Sequence, residues 1–185
     1  MKPEIFIQNG ENVIPYKIFN NDNAFFKSSL GFTSDIEATD YNIIVSKFIE
    51  FPLTIVFFEL FPVSIEKELL NIKNDNHLTI IKVYSLEEWD FIFHEIYINL
   101  ANGVEVSMFT SVNTNDLISF EDFSTNQFIE EIEFPCIDGV EVMTYIRLSI
   151  YGMFIQTVDS ELNSLEKIYL RLGNLVSLDS FNSDL

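Results

Sequence analysis

Positive charge is scarce in this chain. Its 185 residues hold 10 Lys and Arg against 29 Asp and Glu, a formal net charge of −19. A surface of that sign repels nucleic-acid phosphates and anionic lipid headgroups, so neither is expected as a direct ligand, and no membrane association is expected. Cysteine is nearly absent. Cys136 stands alone, which excludes an internal disulfide framework and fits a reducing, cytoplasmic setting. Glycine numbers six and is nowhere clustered, so the glycine-rich loops that cradle phosphates are missing. Long apolar runs are missing too. The longest, 51–63, is interrupted by Glu59 and carries Pro52 and Pro62 near its ends, well short of the roughly 20 residues that span a bilayer. Residues 1–12 lack the apolar stretch of a secretory signal.

What the chain does have is core material. Apolar residues make up 48% of it, including 19 Phe and 7 Tyr, and large aromatic side chains carry much of a core's burial. Disordered chains lack such residues, so a folded domain is expected despite the charge. At this length a globule buries roughly 70% of the surface its unfolded chain exposes. No linker or low-complexity tract divides the sequence. One domain over 1–176 is expected, followed by a flexible tail at 177–185.

Along the chain, 4–8 reads as a strand, Asn9-Gly10 as a turn and 13–19 as a second strand, with a short helix over 21–30. Ser34-Asp35-Ile36-Glu37 has capping-box spacing, and Ile43, Ile44, Lys47, Phe48 and Phe51 follow a helical period up to Pro52. Strands are expected at 53–61 and 78–84, with a helix at 64–72 between them. Ser85-Leu86-Glu87-Glu88 repeats the capping-box spacing and predicts one or two helical turns. Near the end, 140–150 and 153–158 read as strands around Gly152, the first of them central and covered on both faces. A helix over 160–172 follows, with Leu165, Ile168, Tyr169 and Leu172 inward and Gly173 as its stop.

The middle segment alternates apolar and polar residues: Ile96, Ile98 and Leu100, then Val104, Val106 and Met108. A three-residue loop, Ala101-Asn102-Gly103, pairs them as a hairpin with one apolar face and Gly103 in the left-handed position. The same arithmetic pairs Ile132, Phe134 and Cys136 with Val140, Val142 and Thr144. Both hairpins contain Gly-Val-Glu-Val, 36 residues apart, through duplication or through shared strand and turn chemistry. The expected fold class is α+β: a mainly antiparallel, hairpin-rich sheet with a few packed helices.

Catalytic patterns are lacking. The chain has no Gly-x-Ser-x-Gly elbow, and His77 and His94, its only histidines, lack metal-ligand spacing. Cys136 falls on an expected apolar face, where a thiol is inert. With acids this abundant, a close carboxylate pair carries no specificity. No enzyme activity, cofactor or metal is expected.

The distribution of charge says more. Between Lys82 and Arg147 there is no basic residue, yet that interval holds 13 acids. In the hairpin register Glu95, Glu105, Glu131, Glu133 and Glu141 face away from the core together with Tyr97 and Tyr145. Asp116, Glu121 and Asp122 lie in the same basic-free interval. These ten residues form the expected partner-binding face, where crowded like charges favour a basic partner. In size, acidity and lack of catalytic motifs the chain is similar to immunity proteins and antitoxins that neutralise nucleases or other toxins. The expectation is an inhibitor of one basic protein; the alternatives are an acidic interaction domain or an enzyme with an unrecognised pocket.

Overall fold

The computed structural model describes residues 4–9, 26–32, 36–57, 71–75, 78–111, 142–175 and 177–181. In chain order they form β1 (Glu4–Asn9), β2 (Phe26–Phe32), α1 (Ala38–Val45), β3 (Leu53–Phe57), β4 (Asn71–Asp75), β5 (Leu78–Val83), α2 (Leu86–Ala101), β6 (Val106–Ser111), β7 (Val142–Ser149), β8 (Gly152–Thr157), α3 (Leu165–Leu172) and β9 (Ser177–Phe181). The strands make one sheet in the order β4-β5-β3-β6-β7-β8-β2-β1-β9. Neighbours are antiparallel except β1 and β9, which run parallel. The α+β class and the mainly antiparallel sheet are as the sequence predicts.

Strand alternation assigns the two faces. Leu53, Ile55, Ile81, Val83, Val106, Met108, Ile146 and Leu148 join Tyr41, Trp89, Ile92, Ile96 and Leu100 in one buried cluster beneath the helices. Fully burying such a side chain contributes about 1.5–3 kcal/mol, so this layer is the main source of stability. The second face carries Thr54, Val56, Ile80, Ser107, Phe109, Tyr145 and Gln156, all buried as well. Strand β7 lies mid-sheet with Tyr145 at 1% and Ile146 at 2% exposure, so it is covered on both sides, as its bulky alternation predicts.

The largest departure from expectation is the segment 96–100. It is the last part of the 16-residue helix α2, and it is not a strand. Ile96 and Leu100 are buried at 0%, while Ile98 is 41% exposed; a strand with this inward face would bury all three. The helix starts where the capping box predicts, with the Ser85 hydroxyl accepting from the Glu88 amide at 3.2 Å. The Glu88 carboxylate reaches one residue further back and accepts from the Tyr84 amide at 2.6 Å. From there Trp89, Ile92, Phe93, Ile96 and Leu100 follow a period of 3.6, burying one continuous stripe.

At the far end the Val104 amide donates to the Asn99 carbonyl and the Gly103 amide to the Leu100 carbonyl, both at 3.0 Å. That pair of bonds is a Schellman motif, and it requires the left-handed residue that Gly103 supplies at φ 85°. Gly103 has the predicted conformation, but it closes a helix instead of a hairpin. Its Gly-Val-Glu-Val string therefore leads out of a helix. The second expected hairpin fails at its returning strand, since Thr144, expected opposite Ile132, pairs with Thr110 of β6 and Thr157 of β8; residues 132–141 lie outside the described residues.

Other expectations shift in smaller ways. Residues 26–30 belong to β2, not to a helix, because Ser28 and Leu30 alternate across the sheet opposite Ile155 and Met153 of β8. Helix α1 begins at Ala38 with Glu37 at its N-cap and no side-chain cap bond. Its entry is fixed from a distance, since the Tyr97 hydroxyl donates to the Ile36 carbonyl at 2.6 Å. Asn71 and Ile72 are in β4, so no helix reaches Ile72. The expected 160–172 helix splits into a 3-10 turn at Ser160–Leu162 and then α3, which Ser164 caps through the Lys167 amide. Tyr169 is 38% exposed and does not join the inward stripe. Ser177–Phe181, expected in a flexible tail, pairs with β1 as the strand β9. The expected elements at 13–19 and 132–140, most of the 64–72 helix, His77 and Cys136 lie outside the described residues.

Candidate protein-binding face

Four of the ten expected partner-binding residues fall in the described part, and they do not share a face. Glu95 is on α2 and is partly exposed. Tyr97, also on α2, is half-buried with its hydroxyl committed to Ile36 and its ring 6.3 Å from that of Tyr41. Glu105 is an exposed residue just before β6, where its carboxylate lies 3.7 Å from Arg147. Tyr145 is on β7 at 1% exposure, its ring 5.1 Å from Phe109 and its hydroxyl 3.4 Å from that of Ser107. Tyr145 is part of the sheet's second face and is closed to a partner. Asp116, Glu121, Asp122, Glu131, Glu133 and Glu141 lie outside the described residues.

The shared-face expectation fails for these four because it rests on period-2 parity, and 95–100 is helical. On a helix of 3.6 residues per turn, odd-numbered neighbours rotate away from one another.

Among the described residues, acids gather on two helices, α1 and α2. Helix α1 and its N-cap bring Glu37 and Asp40, and α2 brings Glu87, Glu88, Asp90 and Glu95 without one basic residue. Among these, Glu37, Glu87 and Asp90 are exposed, and Asp90 accepts from the Asn42 side-chain amide at 2.8 Å. The other end of that carboxamide accepts from the buried Trp89 indole at 2.6 Å. Asn42 thus locks α1 against α2 and fixes the Asp90 carboxylate at the outer seam.

Basic side chains on the helical side are Lys47, Lys167 and Arg171, and the last two are occupied at the α3 end. Arg171 donates to the Lys47 carbonyl at 2.6 Å and lies 3.8 Å from Glu50. Lys167 donates to the Ser160 carbonyl at 2.5 Å and to Asn163 at 3.0 Å. Three further basic side chains sit on the other side of the molecule. Register pairs Lys27 with Gln156, Lys82 with Thr54, and Arg147 with both Ser107 and Phe154, all on the second face of the sheet. Among the described residues, acids dominate α1 and α2, while bases are divided between the α3 end and the sheet's far face, where Glu105 meets Arg147. Sequence parity misses this, because it needs the sheet register and the helix assignment together.

Among the described residues no group of three or more His, Cys, Asp or Glu side chains converges as a metal site. No helix among them is long and apolar enough to cross a membrane. His94 is exposed on α2. Tyr41 is the one described group whose ionisation is clearly displaced: burial pushes its phenol well above the usual tyrosine range, partly opposed by its hydrogen bond to Ser149. It packs against Phe32 at 5.0 Å and belongs to the core.

Fold and composition together define a class, an acidic α+β protein whose helices α1 and α2 carry acids without a Lys or Arg. Comparison of the chain with protein-family models, with curated proteins and with solved structures gives no match.

Proposed function

We propose that this protein binds and neutralises a basic protein, in the manner of an immunity protein or antitoxin, through the outer surface of its α1–α2 layer. The observation that carries this reading is the composition of α2, whose solvent side offers Glu87, Asp90 and Glu95 with no basic residue in the helix. A net charge of −19 adds a long-range field that speeds encounter with a cationic partner. Carboxylates docked over a cationic cleft would cover the surface with which such a partner holds its own substrate. Association would be fast and salt-sensitive, while apolar contacts would set the lifetime of the complex.

Affinity capture from the native host lysate, at low and at moderate salt, tests this reading. The expected result is one basic protein retained at one-to-one stoichiometry, and loss of that protein when Glu87, Asp90 and Glu95 are all changed to Lys. Co-expression should suppress the captured protein's activity. Retention of the same proteins by the wild type and the triple variant would overturn the assignment of this face.

A further inference from the structure

Resting on that reading, we infer that the docking element of the partner is a lysine- or arginine-rich amphipathic helix, lying along the outward line of α2 formed by Glu87, Phe91, His94 and Ile98. The spacing along this line is four, three and four residues, the step that keeps side chains in register on one side of a helix. Phe91 is 52% exposed and Ile98 41%, two large apolar groups seven residues apart on one side of α2; Leu86, 51% exposed at the start of the helix, lies off this line. They lie opposite the buried stripe of Trp89, Ile92, Ile96 and Leu100, so inward packing does not explain them. From Glu87 to Ile98 the line runs about 16 Å, or three turns.

The flanks specify the charge of the occupant. At 3.6 residues per turn, Asp90 lies about 70° to one side of the line and Glu95 about 70° to the other. A line anchored by Phe91 and Ile98 and bordered by acids on both edges complements an apolar track bordered by bases, the arrangement by which flanking positions select partners in coiled coils. The last turn of α2 contains no basic residue, so the negative end of its dipole adds to the attraction for cations. An extended peptide advances about 3.3 Å per residue and would meet these anchors out of step. A helix meets them in step.

Two synthetic peptides of identical composition test the inference against the full chain. In one, Leu residues follow a heptad period with Lys at the flanks; in the other the same residues are reordered so that the Leu are dispersed. Amide shifts and affinities would be read by NMR at about 0.15 M salt. The ordered peptide should bind about tenfold more tightly than the reordered one and shift the amides of 87–98. That preference should vanish in Phe91→Ser and in Ile98→Lys, each checked by an unchanged thermal melt, since both positions are exposed.

Equal binding of the two peptides, shifts centred elsewhere, or no binding would each overturn the helical track. Equal binding that is lost when Glu87 and Asp90 become Lys would overturn the track and leave the basic-partner reading standing. Failure to capture a basic protein from the lysate, with the peptide preference intact, would instead overturn the reading on which the track rests.

Discussion

The Tyr41 hydroxyl lies 2.8 Å from the Gly152 carbonyl oxygen and 2.7 Å from that of Ser149, so one phenol in α1 holds both sides of the β7–β8 turn. The residues are 111 positions apart in sequence, and the contact ties the helical layer to the middle of the sheet. Rings of Phe32, Phe93 and Tyr97 surround the phenol edge-on or nearly so.

Removing that hydroxyl should loosen the turn. Tyr41→Phe keeps the ring and removes the one proton the phenol shares between the two carbonyls, of which that of Gly152 still accepts from the Ser149 hydroxyl at 3.3 Å, for an expected loss of about 1–2 kcal/mol in chemical denaturation. It should also change the response to alkali. Unfolded, a tyrosine ionises near about pH 10, whereas burial holds the folded Tyr41 phenol above that range. Between the two values the unfolded chain gives up a proton that the folded chain keeps, so stability falls as pH rises past the unfolded value. Tyr41→Phe should make that fall shallower; an unchanged slope would show that Tyr41 is not the group responsible.

Gly152 is required by space as well as by conformation. Its φ is +151°, and a Cβ placed on it would stand 2.0 Å from the Leu30 carbonyl oxygen of β2. Gly103, at φ +85°, has nothing within 4 Å of its would-be Cβ. Gly103→Ala should therefore cost about 1–2 kcal/mol from left-handed strain alone. Gly152→Ala should cost clearly more, because backbone in the neighbouring strand must move. A ranking of the two melting temperatures settles the point, and the reverse order would disprove the close approach of β8 to β2.

Asn42 is the polar link between α1 and α2, and its two ends differ in environment. Asn42→Ala leaves the Trp89 indole N–H, on a side chain at 0% exposure, without its acceptor, which should cost about 1–3 kcal/mol. Asp90→Ala removes only the exposed bond to Asn42 and should stay within about 0.5 kcal/mol. Equal effects in equilibrium unfolding would mean that the carboxylate, not the indole bond, secures the helix pair.

Much of the fold is legible where one period dominates. The strands β5 and β8, the Ser85 cap and the Gly173 stop each follow from residues within a few positions. Legibility fails where two periods coincide. Ile96 and Leu100 satisfy both a strand alternation and a helical i, i+4 step, and the deciding residues, Trp89, Ile92 and Phe93, lie upstream of the alternation. In β2 the small Ser28 and Ser29 mask an alternation that only the pairing with β8 reveals. The candidate site inherits the first ambiguity. Glu95 keeps its acidic surroundings under either reading, but Tyr145 and Glu105 leave the face once 96–100 is helical. The placement of Lys27, Lys82 and Arg147 on one sheet face depends on long-range register, which local sequence does not encode.

That ambiguity can be decided by two neighbours on one helix. As a hairpin strand, 96–100 would bury Ile98 and Leu100 alike; as the end of α2 it exposes Ile98 at 41% and buries Leu100 at 0%. Leu100→Ala should therefore cost about 2–5 kcal/mol through the cavity it leaves under the helix. Ile98→Ala should change stability by no more than about 0.5 kcal/mol. The same Ile98 variant should weaken binding to a basic helix while leaving the melt unchanged, which separates its surface role from any role in the core. Comparable destabilisation by the two substitutions would restore the strand, and with it the parity that turns Glu95 and Tyr97 toward a common face.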